Sequence, residues 1–336
     1  MWQLKNNKNE NMNAATYHRY GPPSVVSLEE IPKPACLAGE IIIEVYATTV
    51  NRTDCGFRSA VYFVSRFWSG LFAPKNKVLG CEFAGIVESV GIGVSYFKPG
   101  DKIFGYDDEQ FGGHAEYKKV KATGNIAEMP EGIPFPEAAA LTEGAHYALN
   151  IIRAAKVIEG QQVMVYGATG AIGTAAVQLL KYFGAQVLAV SNSKNIELVK
   201  SLGADKVIDY EKTHFKETDW RFDFVFDAVG KTSFGACKGL LKPGGFYIST
   251  ELGKGGENIF LALWGSIIKS SKRVLFPIPT TTQEDIIFLK SLYEQGVFKP
   301  IIDRTYPLEN IVDAYRYVET GQKTGNVVIT VGKELA

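Results

Sequence analysis

The sequence predicts an α/β protein in which a β-barrel region is followed by a parallel, doubly wound sheet. From residue 162 onward, short apolar runs alternate with helical stretches, and this strand–helix–strand spacing is typical of a parallel sheet covered by helices. Two of the helical stretches end at Gly184 and Gly203, where a helix C-terminus favours glycine. The first half instead has β-branched runs at 41–50 and 83–90, separated by repeated Gly and Pro, which indicates a compact barrel with tight corners.

Length and composition indicate an ordinary globular chain of two domains. The 336 residues are 46% hydrophobic and 21% charged with a formal net charge of zero, so bulk electrostatics favour neither nucleic acid nor an anionic membrane as a partner. The four cysteines form no CxxC pair, as expected for a reduced, cytoplasmic protein. No apolar run approaches the ~20 residues of a membrane helix. The polar residues 1–11 predict a disordered extension without the apolar core of a signal peptide.

The most informative segment is the turn VMVYGATGAIG, in which Gly167, Gly170 and Gly173 lie between an apolar strand and a helix. Such a turn lets backbone N–H groups at the helix N-terminus face the pyrophosphate of a dinucleotide, because no side chain blocks the approach. Tight strand-to-helix turns also use glycine for steric reasons alone, but the surrounding βαβ pattern favours a Rossmann-type cofactor site. The residues expected to line it are Ala168, Thr169, Gly170, Ala171 and Ile172.

The end of the next strand indicates which cofactor binds. An NAD-preferring fold usually presents Asp or Glu about 20 residues beyond the turn, to hold the ribose 2′-hydroxyl. Here the available residues are Ser191, Asn192, Ser193 and Lys194, so no carboxylate from this strand repels a 2′-phosphate, and Lys194 and two hydroxyls are able to bind one. We therefore expect NADP(H) rather than NAD(H). The alternative is that Lys194 is only a solvated residue at the start of a helix.

Several segments together resemble the medium-chain dehydrogenase/reductase superfamily. In chain order they are VNRTD, LGCEFAGIVESVG, GATGAIG, LVKSLGADKVIDY, DAVG and GNVVI. The resemblance runs from about residue 12 to 331 and is strongest to the zinc-free quinone oxidoreductase-like branch, often labelled NAD(P)-dependent alcohol dehydrogenase. It implies a GroES-like catalytic domain at 12–150 and 277–336, clasping a Rossmann domain at 151–276 with the active site in the cleft between them. A homodimer is the common assembly in this superfamily.

The resemblance also addresses zinc. Zinc-dependent members have a Cys ligand in the segment resembling VNRTD and a His–Glu pair in the one resembling LGCEFAG. Here these positions hold Asn51, and Cys81 beside Glu82, and the four-cysteine structural zinc lobe has no counterpart. A catalytic zinc needs three protein ligands. A set improvised from Cys55, Cys81 and His146 is the alternative, but we predict no zinc and a buried, apolar role for Cys81.

Without a metal, oxidation of a simple alcohol lacks its Lewis acid. Reduction of a quinone, or of a C=C bond conjugated to a carbonyl, needs only hydrogen-bond donors and a proton. The expected activity is therefore NADPH-dependent hydride transfer to an enone, an alkenal or a quinone, with a small apolar substrate. Two alternatives remain open, an alcohol dehydrogenase with a non-standard zinc site and a non-catalytic NADPH-binding sensor on the same fold.

Four residues are candidates for the reaction itself: Asn51, Tyr62, His146 and Tyr147. By resemblance, Asn51 lies near the nicotinamide and the substrate oxygen, although it equally suits a turn after its strand. Tyr62 stands at the distance from Asn51 at which related reductases carry a tyrosine. His146 and Tyr147 share one helical face with Glu143, so they either serve the substrate oxygen and its proton or form a satisfied polar cluster under the cofactor.

The remaining cofactor candidates come from strand ends and from the resemblance. Val229, Gly230, Ser249 and Thr250 follow predicted strands, at the edge where such sheets bind ligands. Tyr210 resembles a tyrosine that lies against the adenosine ribose in quinone reductases, and Asn326 resembles a C-terminal residue that returns towards the cofactor.

Three further features have expected roles outside the reaction. Asp54 is expected to order its loop, and His114 to be structural. The aromatic-rich stretch 56–72 forms either the rim of an apolar substrate pocket or an ordinary core or dimer contact.

Overall fold

A computed structural model of the chain describes residues 10–61, 66–267 and 270–332. Its strands in chain order are β1 (Asn11–Tyr17), β2 (Val26–Pro32), β3 (Glu40–Val50), β4 (Glu82–Val90), β5 (Lys102–Tyr106), β6 (Tyr117–Lys121), β7 (Ile126–Glu128), β8 (Gln162–Tyr166), β9 (Gln186–Ser191), β10 (Lys206–Asp209), β11 (Phe222–Asp227), β12 (Leu241–Ser249), β13 (Arg273–Leu275), β14 (Ile302–Pro307) and β15 (Asn326–Thr330).

Its α-helices in chain order are α1 (Arg52–Ser59), α2 (Arg66–Ser69), α3 (Phe135–Ala139), α4 (Glu143–Ala155), α5 (Ala171–Tyr182), α6 (Ile196–Ser201), α7 (Phe234–Cys237), α8 (Glu257–Ile267), α9 (Gln283–Glu294) and α10 (Ile311–Glu319). None of the helices in the described ranges is long and apolar enough to cross a membrane.

The chain divides into two compact units, each built from segments that are distant in sequence. The first unit comprises the chain up to Thr142, Thr282–Lys290 and the chain from Ile302 onward. The second comprises Glu143–Thr281 and Ser291–Ile301.

These boundaries differ from the expected ones at 150/151 and 276/277. Helix α4 belongs to the second unit because it packs tightly on α5, where a Cβ on Gly144 would lie 2.7 Å from the backbone of Ala171. Ser291–Ile301 joins the same unit through Gln178, which donates to the Lys299 carbonyl at 3.0 Å and accepts from the Lys299 N–H at 3.0 Å.

The disorder predicted for residues 1–11 is wrong for residues 10 and 11. Asn11 already belongs to β1, and the Glu10 carbonyl accepts a hydrogen bond from the Lys33 N–H at 2.8 Å. Because β1 pairs with β2 along its whole length, these two residues are ordered. Residues 1–9 lie outside the described ranges.

The first unit is rich in antiparallel strands, as the β-branched runs of the sequence predict. Strands β1 and β2 form a two-stranded sheet, and a larger sheet has the order β14-β15-β3-β4-β5-β7, with β6 also pairing with β3. The central strand β3 is almost wholly buried. At its end the chain turns at Asn51 into α1, which places the VNRTD segment beside the start of β4. This unit corresponds to the segments expected to form the GroES-like domain.

The second unit contains a six-stranded parallel sheet in the order β10-β9-β8-β11-β12-β13. Counted from β8, this is the order 3-2-1-4-5-6 of a doubly wound Rossmann fold, which confirms the predicted fold class. Gly184 and Gly203 follow the last residues of α5 and α6 with φ of 77° and 104°, as helix C-termini require. The strand order reverses between β8 and β11, so the carboxyl ends of these two strands form the edge at which ligands bind in such sheets.

Candidate functional site

The turn between β8 and α5 leaves room for a phosphate. A Cβ on Gly173 would lie 2.1 Å from the Gly167 carbonyl oxygen, so the turn itself is tightly closed. A Cβ on Gly170 would meet nothing within 4 Å, and no side chain caps the N-terminus of α5 at this residue. The outer side of the turn thus combines open space with the positive end of a 12-residue helix, which fits the pyrophosphate of a dinucleotide.

The other residues predicted for this turn differ in exposure. Ala168 and Ala171 are buried, while Thr169 and Ile172 are half-buried. The Ala168 N–H donates to the Val190 carbonyl of β9 at 3.2 Å, which anchors the turn to the neighbouring strand.

The loop that follows β11 contacts this turn directly. A Cβ on Gly167 would lie 2.5 Å from the Val229 side chain, and a Cβ on Gly230 would lie 2.4 Å from the Glu251 side chain. Thr250 donates its N–H to the Asp227 carbonyl at 3.1 Å, and the Ser249 hydroxyl accepts from the Glu251 N–H at 3.2 Å. The structure therefore brings Val229, Gly230, Ser249 and Thr250 to one edge with the glycine turn.

The residues expected to select the cofactor lie at the ends of β9 and β10. Ser191 is buried and donates its hydroxyl to the Asn192 carbonyl at 3.3 Å. Tyr210 is 53% exposed and donates its N–H to the Ser191 carbonyl at 3.0 Å, so it adjoins the end of β9. Lys194 is exposed in the short turn that follows Ser193.

Two carboxylates that the sequence interpretation missed stand at the same place. Ser193 donates its hydroxyl to Asp209 at 2.6 Å and its N–H to Glu211 at 3.2 Å. The hydrogen bond from Ser193 lowers the pKa of Asp209. Strand β10 is the parallel neighbour of β9 and brings its own acidic end alongside, which the local pattern of the segment after the glycine turn does not indicate. Ser193 is thus engaged with carboxylates rather than presented to solvent.

Helix α4 carries His146 and Tyr147, which the structure brings into contact. Their ring centroids are 4.3 Å apart, and His146 is buried with its Nδ1 2.8 Å from the Thr281 hydroxyl oxygen. Asn150 fixes the facing segment by donating to the Thr280 carbonyl at 2.8 Å, and it accepts the Thr280 N–H at 3.1 Å. Glu143, the third member of the predicted face, is buried at the start of the helix. Thr281 was not predicted as a site residue, because it lies in a loop without a recognisable motif.

In the first unit, Asn51 is the N-cap of α1. Its Oδ1 accepts the Asp54 N–H at 3.0 Å, and the Asp54 carboxylate accepts the Asn51 N–H at 3.3 Å, which is a capping box. Because Oδ1 accepts the Asp54 N–H, the side-chain nitrogen of Asn51 lies on the opposite side of the amide. It donates to the Thr49 hydroxyl at 3.3 Å and to the Cys81 sulfur at 3.1 Å. These bonds favour the turn-forming role of Asn51 over that of a donor to substrate.

Asp54 orders its loop in the way expected of it. Besides the cap, its carboxylate accepts the Gly80 N–H at 3.0 Å and so ties α1 to the chain before β4.

Glu82 extends the polar network of Asn51 into the interior of the first unit. It is completely buried and accepts hydrogen bonds from the Thr49 hydroxyl at 2.5 Å, the Thr142 hydroxyl at 2.7 Å and the Thr142 N–H at 3.1 Å. The connected groups run from Asn51 through Thr49 and Glu82 to Thr142. The two threonines were not singled out from the sequence, since nothing in their local pattern distinguishes them from other strand and loop residues.

His114 is structural in its contacts. Its Nε2 lies 2.7 Å from the Thr49 carbonyl oxygen and its Nδ1 lies 3.4 Å from the Tyr315 hydroxyl. Burial lowers the pKa of His114 to about 4, so the ring is neutral at pH 7. The 3.8 Å approach of Asp54 is therefore not an ion pair. Nε2 carries the proton, because a carbonyl oxygen only accepts.

The residues at the positions of zinc ligands do not fit a catalytic zinc. Asn51 commits its oxygen to the cap of α1, and Cys81 is completely buried beside the Asn51 amide. Across residues 10–61, 66–267 and 270–332, no group of three or more His, Cys, Asp or Glu side chains is arranged to hold a metal ion.

The aromatic stretch at 56–72 is described only in part. Tyr62 and Phe63 lie outside the described residues. Phe57 packs on Phe111 with ring centroids 4.8 Å apart, which is a core contact, whereas Phe67 and Phe72 are 64% and 92% exposed. Asn326, the candidate from the C-terminal segment, is buried at the start of β15 in the first unit.

A doubly wound parallel sheet with an open glycine turn at the reversal of its strand order is the framework of a dinucleotide-dependent enzyme. Two family models match the chain, "Alcohol dehydrogenase GroES-like domain" over residues 37–131 and "Zinc-binding dehydrogenase" over residues 202–329.

Full-length relatives agree with these matches. The chain is 33% identical over 330 residues to the 2-methylene-furan-3-one reductase of Solanum lycopersicum, and 30% identical over 331 residues to an NADPH-dependent alkenal/one oxidoreductase, chloroplastic, of Arabidopsis thaliana. Both alignments cover 95% of this chain and 79% of the relative. The quinone oxidoreductase of Coxiella burnetii has a similar structure, with a TM-score of 0.85 at 26% identity, covering 96% of this chain and all of that one.

The chain therefore belongs to the medium-chain dehydrogenase/reductase superfamily, in its quinone oxidoreductase-like branch. Within that branch it is an NAD(P)H-dependent oxidoreductase.

Proposed function

We propose that the chain is a zinc-independent reductase that uses NADPH to reduce a conjugated carbonyl compound or a quinone. The observation that carries the proposal is the open, uncapped N-terminus of α5 at Gly170, located where the strand order of the sheet reverses. The names of the two plant relatives, an enone-type reductase and an alkenal/one oxidoreductase, support the substrate class. The latter name also supports NADPH as the reductant.

The roles of this chain's residues follow from their contacts. When bound, the reduced nicotinamide supplies the hydride. The first turn of α5 binds the pyrophosphate through backbone N–H groups, and Val229 packs against the same turn. Lys194 is an exposed residue shortly after the end of β9, where it is able to pair with a 2′-phosphate.

The substrate oxygen needs a donor while negative charge develops on it. We assign this role to His146 or Tyr147 in place of Asn51, since both amide hydrogens of Asn51 already bond within the first unit. The His146 ring, 2.8 Å from the Thr281 hydroxyl, is also placed to exchange a proton with that group. For an enone, hydride at the β-carbon and a proton at the α-carbon together give the saturated ketone. Tyr62 remains a candidate for the substrate pocket.

The proposal is tested by turnover and by metal content. Protein purified without chelator is assayed with NADPH against a panel of enones, alkenals and quinones, and its zinc is measured by mass spectrometry. We expect NADPH oxidation with at least one class of acceptor, less than about 0.1 zinc per chain, and no loss of rate with chelator.

Each alternative gives a different result. Stoichiometric zinc together with alcohol oxidation that a chelator abolishes would establish a non-standard zinc site. NADPH binding without turnover on any acceptor would indicate a cofactor-sensing protein. Absence of binding to either pyridine nucleotide would remove the basis of the proposal.

The choice of NADPH is tested by Lys194→Ala. We expect the Kd for NADPH to rise by at least about tenfold, because a charge-assisted hydrogen bond contributes ~1.5–3 kcal/mol, while the Kd for NADH stays nearly unchanged. Glu211→Gln is expected to strengthen NADPH binding, since it removes a negative charge beside Ser193.

Lys200→Ala is the matched control for this prediction. Lys200 is an exposed lysine on α6 that pairs with Glu197, so its replacement should change the Kd of neither cofactor. If Lys194→Ala raised the Kd values for NADPH and NADH equally, Lys194 would not bind a 2′-phosphate.

A further inference from the structure

Asp227, the last residue of β11, is a buried carboxylate with four hydrogen-bond donors around it. Its Oδ1 accepts the N–H groups of Gly230 at 2.9 Å and Val229 at 3.2 Å. Its Oδ2 accepts the Tyr247 hydroxyl at 2.8 Å and the Thr232 N–H at 3.1 Å. Asp227 has no exposed surface. Two donors at each oxygen match the acceptor capacity of an ionised carboxylate.

These bonds determine the shape of the loop at 228–232. Three of its backbone N–H groups converge on one side chain, so the chain has to wrap around Asp227. The wrapped loop places Val229 against Gly167 on one side and Gly230, at φ 65°, against Glu251 on the other. Asp227 therefore connects the glycine turn after β8 with the chain that follows β12.

A neutral amide is a poor substitute for this carboxylate. An Asn in the same position would keep one oxygen for Gly230 and Val229, but its NH2 group would face the Thr232 N–H, which is also a donor. Burial raises the pKa of Asp227, and the bonds from Tyr247 and the loop oppose that rise. A buried negative charge beside a site for an anionic cofactor is unfavourable on electrostatic grounds alone. Its presence is explained by the four bonds it accepts.

We propose that Asp227 is a positioning residue that, together with Tyr247, holds the loop at 228–232 in its cofactor-accepting shape before the dinucleotide binds. The inference rests on the proposed function, because it takes the edge beside Gly170 as the dinucleotide site. Since the N–H groups of Val229 and Gly230 already donate to Asp227, the loop meets the cofactor through the Val229 side chain and its carbonyl groups.

The test compares Asp227→Asn and Tyr247→Phe with a matched control, Asp223→Asn. Asp223 is a carboxylate on the same strand that accepts a backbone N–H from Gln162 at 2.8 Å and the Lys242 ammonium at 2.7 Å, away from the carboxyl end of the sheet. The Kd values for NADPH and NADH are measured by fluorescence titration, the KM for the electron acceptor by steady-state kinetics, and Tm by calorimetry.

For Asp227→Asn we expect the Kd values for NADPH and NADH to rise alike by at least about tenfold, with the acceptor KM changed by less than about twofold. For Tyr247→Phe we expect a smaller rise of about threefold, because three of the four donors remain. Asp223→Asn should leave both Kd values unchanged even if it lowers Tm. If Asp227→Asn had a lower Tm but bound both cofactors with the Kd values of the wild type, the proposal would be overturned.

Hydrogen exchange of the wild-type protein keeps the test decisive if Asp227→Asn fails to fold. In the absence of cofactor, the amides of Val229, Gly230 and Thr232 should exchange slowly, because each donates to a buried acceptor. Rapid exchange that becomes slow only with NADPH would show that the cofactor, and not Asp227, orders the loop. Failure of the proposed function is distinguishable, since the wild-type protein would then either bind neither nucleotide or bind NADPH without reducing any acceptor.

Discussion

His114 shows at the scale of one residue how burial turns a titratable group into a structural one. Its neutral ring bridges the Thr49 carbonyl and the Tyr315 hydroxyl inside the first unit. Its pKa of about 4, against an ordinary value of 6.5, means that the unfolded chain binds a proton at a higher pH than the folded protein does. Between these two values the unfolded state holds more protons, so falling pH favours unfolding.

We therefore expect the free energy of unfolding to fall by up to about 3 kcal/mol from this group as pH drops from 6.5 to 4. Urea denaturation at pH 7.5, 6 and 5 measures the effect. In His114→Gln, whose amide is able to donate to the Thr49 carbonyl, this part of the pH dependence should disappear.

His18→Gln serves as the control, because His18 is exposed and pairs with Glu29 at the surface. Its replacement should leave unchanged the part of the pH dependence that is lost in His114→Gln. If the free energy of unfolding fell with pH equally in wild type and in His114→Gln, His114 would not be the cause of this pH dependence.

At the scale of one element, two glycines of the turn between β8 and α5 have different roles. Gly173 permits close packing within the turn, with a would-be Cβ 2.1 Å from the Gly167 carbonyl oxygen. Gly170 has no such neighbour within 4 Å and faces open space in the free protein. Packing and cofactor binding are therefore separable by substitution.

Gly170→Ala is expected to fold with a free energy of unfolding within about 1 kcal/mol of wild type, since its φ of −76° suits alanine. Its added methyl group should nevertheless obstruct the pyrophosphate and raise the Kd values for NADPH and NADH at least about tenfold. Gly173→Ala should instead destabilise the fold by about 1–3 kcal/mol, as overpacking does.

Thermal unfolding and cofactor titration of the two variants check this prediction. If Gly170→Ala bound both cofactors like wild type, the phosphate would have to lie elsewhere along the edge. If Gly173→Ala were as stable as wild type, the closed geometry of the turn would be wrong.

At the scale of the whole molecule, assembly and location remain predictions. The family to which the chain belongs leads us to expect a homodimer, so light scattering should give a mass of about twice 36.9 kDa. A mass of one chain across a tenfold range of concentration would contradict it. A cytoplasmic location, expected from composition, is checked by imaging a tagged full-length chain.

The sequence by itself determined the elements and their order, because these depend on local patterns. The short apolar runs predicted from residue 162 onward became the parallel strands β8 to β13. Glycine at 184 and 203 ended the helices, and Gly167, Gly170 and Gly173 identified the turn. Each of these features follows from backbone geometry or from alternation of burial along the chain.

The tertiary structure alone decided which side chains act together. Asp209 and Glu211 meet Ser193, and Asp227 meets Tyr247, because parallel neighbouring strands bring distant segments to one edge. Asn51 caps α1 through a local partner, Asp54, but its amide nitrogen also donates to Cys81, which lies 30 residues further along the chain. Hydrogen bonds of this kind depend on distance in space, which no local pattern in the chain records.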